Sequence, residues 1–299
     1  MSLARIFLTL NREGTYFLKY ERGCIRYQNM GKIRNAVLTV LDRMNHPLHI
    51  EFNLTDFCNL NCKGCTHYSP LAPREFESLE TLEHSMRKIS EAKNSDRVEG
   101  VFLIGGETLL YPRLEEALKL ARKYFPAASL SLFTNGLLIP KMSEEFWKVA
   151  RECGVIMAIT RYPVNFNYDG AEQLCREKGV KVDVFGDRGK EESFYKFPLD
   201  PKKGQNRRLS HFRCSAFGCI TVDHGKIFPC SLSACVGHLN KKFGMDFRWE
   251  KGDYIEVESL KDIKEILHLR NNPVPFCGYC RRFSFTPFGP SKRVREEWI

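Results

Sequence analysis

The chain of 299 residues is 43% apolar and 27% charged, with 12 cysteines and a formal net charge of +10, the proportions of a globular protein with a substantial buried core. No apolar run approaches the ~18 residues of a membrane span, and residues 1–20 carry charges throughout, which excludes a plain secretory signal. The expected location is therefore cytoplasmic, where thiols stay reduced and cysteines point to metal or redox chemistry before disulfides.

Strand and helix signals alternate along the chain, the pattern of a parallel α/β arrangement. After an N-terminal extension over 1–47, one strand face carries Leu48, Ile50, Phe52 and Leu54, and the other His49, Glu51, Asn53 and Thr55. In a parallel barrel the polar face would point inward, where it could hold a substrate. Residues 75–94 read as a helix, 100–104 as a short buried strand ending in Gly105-Gly106, and 112–125 as a helix opened by proline. A strand over 129–134 stops at Asn135-Gly136. Ser143 caps a helix that runs to Cys153, with Gly154 just beyond. The strand 155–160, the helix 169–178 and the strand 180–185 complete about five β/α units. After Gly186 the pattern dissolves into an irregular, cysteine-rich third, which sets the expected domains at 48–186 and 187–299.

The positive charge is local. Residues 1–45 carry eight Lys/Arg against three Asp/Glu, 187–215 eight against four, and 281–299 five against two, so the remainder is slightly acidic. Nothing in the sequence interleaves aromatics with a continuous basic stripe, as a nucleic-acid platform does. Two readings stand: a solvated basic surface, or an attraction for anionic, phosphorylated or nucleotide-linked substrates.

Cys58, Cys62 and Cys65 form Cys-x3-Cys-x2-Cys in the loop after the first core strand. Thiolates suit zinc or iron–sulfur centres. A structural zinc site takes four ligands and would need His67 to complete this set. A ferredoxin-type cluster takes four cysteines. Three thiolates leave one iron of a cubane cluster open to a non-protein ligand, which is an arrangement for catalysis. On this triad the sequence resembles the radical S-adenosylmethionine (radical SAM) enzymes over 48–185. The resemblance implies a partial, TIM-like (β/α) barrel of roughly six units and a 4Fe–4S cluster on the triad. It also implies reductive cleavage of S-adenosylmethionine to methionine and a 5′-deoxyadenosyl radical that takes a hydrogen atom from substrate.

Further residues carry the likeness. Gly105-Gly106-Glu107 looks like the family's Gly-Gly-Glu motif, which would set Glu107 against the methionine ammonium. Thr134-Asn135-Gly136 resembles its Thr-Asn-Gly segment near the ribose, or is an ordinary Asn-Gly turn. Arg161 could pair with the methionine carboxylate. Gly64 departs from the many members with an aromatic residue there, and Tyr68 is expected to pack on the adenine in its place.

Cys214, Gly225, Cys230 and Cys277-Gly-Tyr-Cys280 resemble the shortened auxiliary-cluster domain called twitch, related to the SPASM extension of the same family. That likeness implies a second, fully ligated 4Fe–4S cluster and a hairpin over 220–228 turned by Gly225. A four-cysteine zinc ribbon is the alternative. Cys153 and Cys175 lie on apolar helix faces and read as core. Cys219 and Cys235 sit beside the auxiliary set, either as hydrogen-atom donors or as spare structural thiols. Cys235 ranks first as the catalytic candidate because Cys219 falls within the hairpin.

The family likeness implies an oxidoreductase or epimerase acting at a carbinol carbon of a small polar substrate: a sugar, an aminocyclitol or a nucleotide-linked metabolite. A flavodoxin- or ferredoxin-type donor would supply electrons, with neither membrane nor nucleic acid as partner. Three other readings stay open: a RiPP-type peptide maturase, an RNA-modifying radical enzyme and a non-enzymatic zinc-binding adaptor. Against the first stand only about 45 residues before the first core strand, and against the second the lack of a recognised RNA-binding module.

Overall fold

The computed structural model describes residues 7–10, 16–20, 23–27, 46–185 and 193–299. The chain divides into two compact units, 1–47 and 48–299. In the first, β1 (Phe7–Leu10), β2 (Tyr16–Tyr20) and β3 (Gly23–Tyr27) form an antiparallel meander. The side chain of Cys24 and those of the basic stretch before residue 46 lie outside the described residues.

The second unit is built on five consecutive parallel strands: β4 (Leu48–Asn53), β5 (Val98–Ile104), β6 (Ser129–Thr134), β7 (Val155–Thr160) and β8 (Lys181–Phe185). Between them run α1 (Leu79–Glu91), α2 (Leu114–Tyr124), α3 (Glu144–Glu152) and α4 (Tyr168–Glu177). The caps follow from the sequence. Ser78, Ser143 and Asn167 each accept a bond from a backbone N–H in the first turn of the helix they precede. Residues 75–78, expected as helix, stay outside α1, with Glu77 N–H bonded to Leu54 C=O at 2.9 Å. The alternation in β4 works as expected: Leu48, Ile50, Phe52 and Leu54 are buried in the core, and Phe52 meets Phe125 behind α2 at 6.0 Å between ring centroids.

Among the described residues no further β/α unit follows β8. The sixth parallel strand, β10 (Ile220–Asp223), joins the opposite edge beside β4, with Ile220 opposite Ile50 and Val222 opposite Phe52. A hairpin then adds antiparallel β11 (Lys226–Phe228), and β12 (Ile255–Glu256) closes that edge, giving one eight-stranded sheet. The hairpin of the C-terminal third joins the sheet of the core, and the compact unit runs from 48 to 299. Outside that sheet, β9 (Ser193–Lys196) pairs antiparallel with β13 (Ser284–Pro287). Among the described residues no helix is long and apolar enough to cross a membrane.

Candidate active site

The loop after β4 carries the three triad cysteines, and backbone contacts with two strand ends hold it in place. Gly106 N–H donates to Thr55 C=O at 2.6 Å and Glu107 N–H to Phe57 C=O at 3.0 Å. A Cβ on Gly105 would lie 2.2 Å from Thr55 O, and one on Gly106 2.4 Å from Phe57 O. The glycine pair is therefore required so that the end of β5 can lie against the triad loop. Asn135, after β6, reaches the loop from the other side, with Nδ2 bonded to Asn59 Oδ1 at 2.7 Å and 3.8 Å from Cys58 Sγ.

The chain's end clamps the same loop. Lys63 N–H bonds Gly289 C=O, Ser291 N–H bonds Asn61 C=O, and buried Trp298 donates from Nε1 to Cys65 C=O at 3.0 Å. Sequence reasoning missed this clamp, since its two halves are 233 residues apart.

Cys58, Cys62 and Cys65 line a cavity of about 380 Å³ together with Gly105, Gly106, Thr134 and Asn135. Five of the sequence-expected residues outside the C-terminal third thus lie with the two motif glycines around one space, at the ends of β4, β5 and β6. Glu51 and Cys219 also face it, and Tyr162, Phe194 and Phe133 supply aromatic walls. Tyr162 stacks on Phe288 at 5.5 Å, a wall the sequence did not disclose. His67 lines the cavity too, and its Nε2 is buried without a hydrogen-bond partner, a polar atom suited to meet a ligand.

Four expected site residues lie elsewhere. Glu107 is 1% exposed and does not line the cavity. Its carboxylate accepts from Thr134 Oγ1 at 2.6 Å, Asn135 N–H at 2.9 Å and Leu109 N–H at 3.0 Å. Burial pushes this carboxyl up despite the three donors. Glu107 therefore positions the Thr134-Asn135 turn. Arg161 is occupied by Glu172 and Asp169 of α4, with Nε 2.7 Å from Glu172 Oε1, and so is not free for a ligand carboxylate. Tyr68 is fully buried, edge-on to Trp298 at 6.1 Å, and cannot reach an adenine in the cavity. Cys235 is 3% exposed and donates to Asp56 Oδ1 at 3.3 Å, while Asp56 also bonds His238 at 2.7 Å. The thiol that faces the cavity is Cys219, beside Glu51. Burial pushes Glu51 up to about 7, opposed by bonds from Thr221 and Cys219.

Cys214, Cys230, Cys277 and Cys280 line a second cavity of about 150 Å³. It shares Phe197, Ala216 and Leu232 with the first, so the two spaces are neighbours across a single wall. Among the described residues four arginines line it and no carboxylate does. Cys153 and Cys175 are buried in the core.

The spacing of the thiols bears on which metal fits. Among the described residues, the ligand atoms of Glu77, Asp223 and His224 alone lie within 4.8 Å of one another as a set of three or more. Neither cysteine set is gathered that tightly. Tetrahedral zinc, with Zn–S of about 2.3 Å, would hold sulfurs about 3.8 Å apart. Thiols set wider around a cavity fit a larger, multi-iron group, and His67 is not drawn in as a fourth zinc ligand. Burial pushes the Cys58 and Cys277 thiols up to about 12, so a bound cation is what would make them thiolates.

Residues 52–172 match the family model described as the Radical SAM superfamily. This segment is a radical SAM domain. The superfamily is one of enzymes that use a 4Fe–4S cluster and S-adenosylmethionine, and the radical SAM domain here contains the triad and both strand-end motifs. Among curated relatives, GTP 3′,8-cyclase of Aquifex aeolicus is 31% identical over 121 residues, 39% of this chain and 35% of that protein. The antilisterial bacteriocin subtilosin biosynthesis protein AlbA of Bacillus subtilis is 32% identical over 147 residues, 48% of this chain and 31% of that protein. The chain spans about a third of the length of the curated relatives it matches. A solved structure of BtrN in complex with AdoMet and 2-DOIA is similar at a TM-score of 0.48 and 18% identity, covering 76% of this chain and 83% of that one.

Proposed function

We propose that the protein is a two-cluster radical SAM oxidoreductase that dehydrogenates a carbinol carbon of a small polar, sugar-like or nucleotide-linked substrate. One observation carries the reading: four cysteines surround a second cavity that shares a wall with the triad cavity. The triad cluster and S-adenosylmethionine, when bound, supply a 5′-deoxyadenosyl radical. Cys58, Cys62 and Cys65 would hold that cluster, and Gly105, Gly106, Thr134 and Asn135 would border the cofactor. Cys214, Cys230, Cys277 and Cys280 would hold the second cluster. In that reaction the substrate C–H hydrogen atom would leave in 5′-deoxyadenosine, a cluster on Cys214, Cys230, Cys277 and Cys280 would accept the remaining electron, and Glu51 would take the hydroxyl proton as the ketone forms. A carboxyl with its pKa near 7 is suited to that last task.

The test is anaerobic metal analysis of the full chain with electron paramagnetic resonance. About eight irons per chain, falling by half when Cys214, Cys230, Cys277 and Cys280 are replaced together with alanine, with 5′-deoxyadenosine formation retained, is the expected result. Stoichiometric zinc at the C-terminal set would overturn it.

A second reading, epimerisation, is favoured by Cys219 facing the cavity beside Glu51. It predicts solvent deuterium at the inverted carbon, lost in Cys219→Ala and kept in Cys235→Ala. Dehydrogenation predicts an unlabelled ketone from both variants. Peptide maturation is supported by the match to AlbA, and a linear peptide turned over with 5′-deoxyadenosine formation would establish it instead.

A further inference from the structure

Two of the basic stretches in the sequence converge in space. Around the rim of the four-cysteine cavity stand Arg213, Arg281 and Arg282, all exposed, and the adjoining helix α5 (Arg207–Phe212) adds exposed Arg207 and Arg208. Arg281 pairs with Asp200 at 3.5 Å. Among the described residues no carboxylate lies within ion-pair distance of the other four.

An apolar surface lies beside them. Phe285 is 57% exposed, Leu209 44%, and Phe212 and Tyr195 41% each, four of the six exposed large hydrophobic side chains among the described residues. The rings form a ladder: Phe285 meets Tyr195 at 4.8 Å, Tyr195 meets Phe283 at 5.4 Å, and Phe283 forms part of the cavity wall.

We infer that this face is the docking site of a small acidic redox protein, a flavodoxin or ferredoxin, which takes one electron per turnover from the second cluster and is itself reduced by that electron. The inference rests on the proposed function, which requires the electron to leave. The observations select this partner for three reasons. Four arginines without a carboxylate partner among the described residues attract an acidic surface and speed encounter. Exposed Leu209 and Phe212 on the helix of Arg207 and Arg208, with the Phe285–Tyr195–Phe283 ladder that ends at the cavity wall, give a compact contact of the kind transient redox complexes use. The charge is gathered at the rim of the cysteine cavity, the one place where a redox partner must approach and where other acidic partners have no need to.

The experiment uses the iron-loaded full chain and an acidic flavodoxin as probe, with association followed by fluorescence anisotropy at low and high salt. Binding should weaken steeply with salt. In Arg213→Glu/Arg282→Glu it should weaken about tenfold or more, with the salt dependence reduced. Phe285→Ser should weaken binding while leaving the salt dependence unchanged, and Arg207→Glu/Arg208→Glu, on an exposed helix, covers the case in which the first pair fails to fold. Cross-links should fall on residues 207–213 and 281–285. Unchanged affinity in all three variants, cross-links at the triad loop, or tighter binding of a single-stranded oligonucleotide lost in the same variants would overturn the inference. Iron content separates the two levels. A C-terminal set that holds no iron defeats the proposed function, whereas intact clusters with unaltered flavodoxin binding defeat only the docking site.

Discussion

The two cysteine cavities are neighbours in one sheet-built unit, yet they are made differently. The triad cavity is assembled from the ends of successive parallel strands, and its wall mixes Glu51, Thr134, Asn135 and aromatic rings. The second cavity is assembled from loops and short helices of the C-terminal third, and among the described residues its wall holds four arginines and no carboxylate. A cluster held by four thiolates is anionic, and the arginines of this wall, above all buried Arg270, would stabilise one bound there. The first cavity presents groups that can bind and exchange protons with a substrate. The second presents groups that stabilise charge. The contrast matches a division between chemistry and electron transfer.

The largest effect expected from breaking this contrast is on the triad. Replacing Cys58, Cys62 and Cys65 together with alanine should abolish 5′-deoxyadenosine formation and leave about four irons per chain on the C-terminal set. Retained cleavage activity would dissolve the distinction between the cavities. Iron lost from both sets would mean that the second site depends on the first, which the shared wall of Phe197, Ala216 and Leu232 would then explain.

A smaller effect separates contact from positioning at Glu107. Its carboxylate gathers three donors from the ends of two strands and has no edge on the cavity. In Glu107→Gln at least one donor meets an NH2 group, at a cost of about 1–3 kcal/mol for a buried unsatisfied group. The melting temperature should fall, and S-adenosylmethionine should bind about tenfold more weakly because the Thr134-Asn135 turn loses its anchor. Thr134→Val should reproduce both changes. Weaker binding with unchanged stability would instead restore Glu107 as a direct ligand of the methionine ammonium.

The same contrast explains what the sequence disclosed. The triad, Gly105-Gly106 and Thr134-Asn135 were legible because a parallel strand delivers its C-terminal end to one rim of the sheet, so local motifs become neighbours without long-range information. The four C-terminal cysteines were legible as a set through their spacing and family likeness. Their arginine surroundings appeared only as an excess of charge in two separate stretches. The differences between expectation and placement share a cause: the sequence does not show a residue's distant partners. Tyr68 is claimed by Trp298, Cys235 by Asp56, and the sixth parallel strand by an edge formed 170 residues earlier in the chain. Glu107 reads as a free polar end in the sequence, whereas the structure holds it with donors from neighbouring strand ends.

Arg161 tests that lesson at the smallest scale. It follows β7 and looks free in the sequence, but its guanidinium bridges Asp169 and Glu172, and the side chain of Glu172 is only 5% exposed. Breaking the bridge leaves Glu172 with Arg176 at 3.1 Å as its remaining cation, so the loss is that of one arm of a network, part buried and part solvated. Arg161→Gln should therefore cost about 1–2 kcal/mol, between the values for exposed and buried pairs, and lower the melting temperature by a few degrees. Affinity for S-adenosylmethionine should not change, because the guanidinium does not line the triad cavity. The two readouts pull apart the alternatives. A tenfold loss of affinity at constant stability would mean that Arg161 leaves α4 to meet the methionine carboxylate, and the ion pair would then be the cofactor-free partner of a bond made on binding.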